Sequence, residues 1–202
     1  MEILRVTRLL ILNSKNNKQY FVIMYSINHH THVFAAWSAA TAARAGTCKF
    51  KVKTGRKILE EIGFNETFIN PNKLPTQEKF DVVHKKWCDN AIKSAKRYKI
   101  KNFKHGVAAK LINCYLKVKF VCGGHANHPK VKYIHPPIDR LLLQELKEKN
   151  IGDFGEEWSS GGKLSWSHYD YISYNEIIKM IQKTMPNQPL WKIEQYWPGH
   201  QK

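Results

Sequence analysis

A chain of 202 residues, 43% of them hydrophobic, can bury a substantial core, which excludes disorder as its main state. Lysine and arginine number 33 against 16 aspartates and glutamates, a formal net charge of +17 that points to a polyanionic partner, nucleic acid first. The basic residues are spread along the chain rather than gathered on one amphipathic helix, which argues against a membrane surface as that partner.

No apolar run approaches the roughly 20 residues that cross a bilayer. The opening MEILRVTRLLIL is broken by Arg5 and Arg8 and makes a poor signal peptide. Cys48, Cys88, Cys114 and Cys122 form no CxxC pair and read as reduced thiols of a cytoplasmic protein. Residues 1–27 form an N-terminal extension or a β-hairpin: runs at 3–12 and 19–26 favour strands and flank a turn-forming cluster at 13–18. Met24 is an alternative natural start.

Residues 28–202 read as one mainly α domain. A helix is expected over 27–45, with Val33, Trp37, Ala40 and Arg44 on one stripe, alanines that allow close packing, and Gly46 as its cap. His29, His30 and His32 at its start read as a solvated helix end, with metal or phosphate contact as the rival. A short helix over 54–62 ends at Gly63, and a loop covers 65–75. Over 77–98, Phe80, Val83, His84, Trp87, Ala91, Ala95 and Tyr98 recur at helical spacing, with Lys85, Lys86, Lys93, Lys96 and Arg97 on the remaining face. That face is either simply solvated or tracks a phosphate backbone.

After a basic connector, Gly106 opens a strongly apolar helix to about residue 120. A loop is expected over 122–135, then a helix from Pro136-Pro137 to about 147, since proline suits the first helical position. A Gly- and Ser-rich loop over 150–165, a helix over 168–183 and a short one over 190–197 complete the chain.

Two charged residues in this central stretch have chemical potential. Lys110 lies one turn into its helix among Ala108, Ala109, Leu111 and Ile112, and such neighbours favour the neutral, nucleophilic form of an amine. Asp139 falls at the start of the next helix, where a carboxylate can oppose a developing cation or take a proton. Taken alone, the pair also reads as a surface lysine and a helix-end carboxylate.

The sequence of Gly106, Val107, Lys110, Cys114 and Leu116, followed by Pro137, Ile138 and Asp139, resembles the helix-hairpin-helix DNA glycosylase superfamily, especially its 8-oxoguanine glycosylase branch. Ala108 stands where that pattern has a second glycine, and residues 122–135 lengthen the spacing to the aspartate. The resemblance implies a helical glycosylase-like domain that binds double-stranded DNA as a monomer, without a cofactor or metal. It flips a damaged or modified base from the duplex and cleaves the N-glycosidic bond. Lys110 would be the Schiff-base lysine, with β-lyase activity, and Asp139 the catalytic aspartate. His135, Trp37, Trp166 and Trp191 are candidate walls of the base pocket. Lys104, His105, Gly106, Val107, Ala108, His125 and Lys130 are candidate DNA contacts. Repair and defence against phage with modified DNA are both consistent with such chemistry. Cys122, His125, His128 and His135 also offer zinc-binding residue types in a C-x2-H-x2-H-x6-H spacing, though a DNA-contacting loop fits as well. The rival functions are a non-enzymatic DNA-binding protein and a basic ribonuclease-type toxin.

Overall fold

The computed structural model describes residues 9–11, 20–22, 25–160 and 165–199. The fold is mainly helical. In the N-terminal segment, β1 (Leu9–Ile11) and β2 (Tyr20–Val22) pair antiparallel, with Leu10 opposite Phe21. The turn cluster at 13–18 lies outside the described residues. Among the described residues no helix is long and apolar enough to cross a membrane.

Among the described residues seven α-helices follow: α1 (Ile27–Ala42), α2 (Val52–Glu61), α3 (Gln77–Arg97), α4 (His105–Leu116), α5 (Arg140–Glu148), α6 (Gly155–Ser160) and α7 (Tyr171–Thr184). Helix α4 is the axis of the molecule. All 12 of its residues are buried, and α1, α2, α3, α7 and a 3₁₀ turn at Trp166–His168 pack around it. This enclosure follows from its composition, since Gly106 and the alanines let neighbours approach while Val107, Leu111, Ile112 and Leu116 fill the space between.

Helix α1 presents a different face from the expected one. Its buried face is His32, Ala35, Ala36, Ala39 and Ala40, whereas Phe34 and Trp37 are about half exposed. The small side chains set the close approach to α2 and α4, and the large rings are left outside. The helix ends at Ala42, before Gly46. Helix α2 ends as expected near Gly63, which takes a left-handed φ of 99°.

The central stretch departs most from expectation. Beyond α4 the helical winding continues as a π-helical segment, Lys117–His125, and Gly124 takes a φ of 89° near its end. Part of the expected loop is therefore helical. Helix α5 starts at Arg140 rather than at Pro136. Each proline disfavours helical geometry in the residue before it, and Asp139 takes the N-cap position with extended backbone (φ −146°, ψ 175°). Helix α6 lies inside the stretch expected to be a loop, anchored by the buried Trp158, whose indole N–H donates to the Ile151 carbonyl at 2.8 Å. The last element, Leu190–Tyr196, is 3₁₀-helical and packs on α5 and α7.

Candidate active site

Lys110 comes from the middle of α4 and Asp139 from the cap of α5. Lys110 Nζ donates to Asp139 Oδ2 at 3.2 Å. The other carboxylate oxygen, Oδ1, accepts the Leu142 N–H at 3.0 Å, so helix α5 fixes the side chain that meets the lysine. Only 8% of Lys110 is exposed, which makes the partner necessary, because an unpaired ammonium in such surroundings is costly. A third group completes the site: the Trp166 ring centroid lies 4.3 Å from Lys110 Nζ, within cation–π range. Burial pushes the thiol of Cys114, one turn beyond Lys110, up to about 12.

Trp166 is thus the pocket candidate that the fold brings to Lys110. The others lie elsewhere. Trp37 packs with Phe34 on the outer face of α1, their ring centroids 5.8 Å apart. Trp191 sits in the final 3₁₀ segment, its indole N–H buried with no hydrogen-bond partner among the described residues. His135 does not line an open pocket. It is 3% exposed, with Nε2 bonded to Asp81 at 2.9 Å and Nδ1 to the Tyr174 hydroxyl at 3.0 Å.

The expected DNA contacts need a larger correction. His105, Gly106, Val107 and Ala108 are buried, so they present no surface to a phosphate. The Gly106 N–H is spent on the Tyr169 carbonyl at 3.0 Å. The approach is so close that a Cβ on Gly106 would lie 1.8 Å from the Trp166 carbonyl oxygen. The same glycine offered as a DNA contact permits the 165–169 stretch to close over it. Lys104 and His125 are exposed, while Lys130 is half-buried and donates to the Asn72 carbonyl at 2.6 Å.

Spacing in the sequence did not reveal the polar cluster beneath the site. Asn113, 0% exposed, donates through Nδ2 to the Pro136 carbonyl at 3.1 Å and the Tyr174 hydroxyl at 2.9 Å. Its Oδ1 faces His84 Nε2 at 2.8 Å. These bonds tie α3, α4, α7 and the segment leading to Asp139 together. His84 and His105 are both held below the ordinary imidazole range by burial, His105 to about 4. The His84 ring also stacks on that of Tyr174, 5.6 Å between centroids.

The histidines at the start of α1 are not all solvated. His32 is 3% exposed, bonded to the Tyr115 hydroxyl at 2.9 Å and to Glu60 at 3.2 Å. Burial holds it below the usual imidazole value, with Glu60 opposing that shift. Nearby Lys119 is buried in the π-helical segment, where desolvation lowers its pKa.

The zinc-suited residues of the 122–135 stretch are not gathered. Cys122 is exposed, His128 bonds Asn72 at 3.0 Å, and His135 belongs to the Asp81–Tyr174 pair. An open hollow of about 500 Å³ lies elsewhere, at the start of α2, lined by Thr47, Lys49, Lys51, Thr54, Lys99 and Lys101 among others. The exposed Lys86, Lys93, Lys96 and Arg97 carry the basic face of α3. No family model, curated protein or solved structure matches the chain.

Proposed function

We propose that the protein is a cytoplasmic DNA glycosylase, a monomer with a helix-hairpin-helix glycosylase-like helical domain, acting on a damaged or modified base in double-stranded DNA. The observation that carries this reading is the buried Lys110–Asp139 pair, 3.2 Å apart, with Trp166 over the amine. The pair puts a carboxylate within reach of the amine, as the proposed chemistry needs. The lysines of the α2 hollow and of the α3 face supply the charge for gripping phosphates.

In this mechanism the target nucleotide leaves the stack, and Trp166 offers a face for its base. Asp139 opposes the positive charge that develops on the sugar as the C1′–N bond breaks and its electron pair leaves with the base. Lys110 gives up its ammonium proton, which the departing base can take, and its amine forms the new N–C1′ bond. Ring opening gives an imine from which β-elimination can cut the strand.

Incubation with duplexes carrying a panel of modified bases tests the reading, scoring abasic sites and trapping with borohydride. A trapped adduct is expected, and Lys110→Gln abolishes it. Base release without trapping assigns water as the nucleophile, activated by Asp139. Duplex binding with no release from any substrate rejects the enzyme in favour of a binding protein.

A further inference from the structure

We infer that His84, Cys88 and His105 form a zinc site that pins the start of α4 to α3. The inference is independent of the glycosylase reading. One ring nitrogen of each histidine and the Cys88 sulfur lie within 4.8 Å of one another, and all three side chains are buried. His84 and Cys88 are one turn apart on α3, and His105 is the first residue of α4.

The hydrogen bonds around the cluster fix its chemistry. The Pro136 carbonyl can only accept, so Asn113 must turn its amide nitrogen towards it. That leaves Asn113 Oδ1 facing His84 Nε2 at 2.8 Å, and Nε2 must carry the ring proton. His84 Nδ1 therefore presents a lone pair, 3.8 Å from Cys88 Sγ. A carbonyl oxygen that orients a histidine through its distal nitrogen is the usual support behind a metal-bound imidazole.

The 3.8 Å between His84 Nδ1 and Cys88 Sγ is close to what zinc needs. Bonds of about 2.3 Å to sulfur and about 2.05 Å to nitrogen at a tetrahedral angle give an S···N edge of about 3.6 Å. His105 offers the third donor. One nitrogen of its ring lies in the cluster, and its Nε2 is buried with no hydrogen-bond partner among the described residues. Asp89, whose charge reaches His105, is paired with Lys85 at 2.7 Å and is not counted among the ligands. Two imidazoles and one thiolate are a borderline-soft donor set, suited to zinc rather than to magnesium or calcium. The thiolate is the form of cysteine that binds zinc, so binding releases the thiol proton.

The test uses the full chain in a Cys122→Ser background, which removes the exposed thiol as a rival ligand. After removal of all metal, the protein is titrated with cobalt(II) and, separately, with zinc. Expected are a thiolate-to-cobalt charge-transfer band, its displacement by about one equivalent of zinc, and a higher melting temperature with zinc. Cys88→Ala and His105→Gln should each lose the band or weaken binding at least tenfold. A Cys122→Ser parent with neither band nor thermal shift overturns the site, and needs no ligand variant to fold. Binding by Cys88→Ala as tight as that of its parent also overturns it.

Discussion

Asp139 meets Lys110 with one carboxylate oxygen, Oδ2 at 3.2 Å, and caps its own helix with the other. The two duties are separable by substitution. Asparagine is a strong helix cap but carries no charge. Asp139→Asn and Asp139→Ala both lose the ion pair, and only the alanine also loses the cap. Base release should vanish in both. The alanine variant should be less stable than the asparagine variant by about 1 kcal/mol. Urea titrations alongside abasic-site scoring check both halves.

Trp166 lies over the Lys110 amine and is the aromatic face nearest the proposed chemistry. Base–aromatic stacking is worth about 1–3 kcal/mol by alanine substitution. Trp166→Ala should therefore lower base release by roughly tenfold or more, with duplex affinity, governed by the outer lysines, little changed. Trp166→Phe should retain most of the activity. Single-turnover rates and equilibrium binding to the same duplex distinguish the two effects.

Gly106 has no room for a side chain, because the added Cβ would sit 1.8 Å from a backbone oxygen. Gly106→Ala must push the Trp166–Tyr169 stretch away or break the Gly106–Tyr169 hydrogen bond. Overpacking of this kind costs about 1–3 kcal/mol. Chemical denaturation should show that loss, and tryptophan fluorescence should report a displaced Trp166.

His32 links stability to pH. Its folded pKa lies below the unfolded value, mainly because of burial. Its stabilising contribution is complete above the unfolded pKa of about 6.5 and is lost as pH falls from there through the folded value. Unfolding free energy should therefore decline on acidification below neutrality. His32→Gln should make that decline shallower, by at most about 1.4 kcal/mol per pH unit. Denaturant melts at several pH values, with metal removed, measure the slope.

Much of the helical frame could be read from spacing. The period of α3, the glycine end of α2 and the apolar surroundings of Lys110 all reflect local pattern, and the structure keeps them. Features set by partners far along the chain could not be read in this way. His32 is buried because Tyr115 and Glu60 meet it, and His84 is oriented by Asn113 on another helix. Proline at 136 and 137 suggested a helix start, but the competing cap at Asp139 moved it. The π-helical winding after α4 has no distinct period in the sequence that separates it from an ordinary helix end. Gly106 reads as a DNA contact in the sequence. The backbone that covers it comes from residues 165–169, some 60 positions later.

Lys110, held between Asp139 and Trp166 on a helix enclosed on all sides, has also lost its freedom. A mobile lysine has roughly 1.5–2 kcal/mol of side-chain entropy to lose on immobilisation. Here that loss falls on folding, before any substrate arrives. The amine therefore waits at a fixed point, and the nucleotide must make the journey to it.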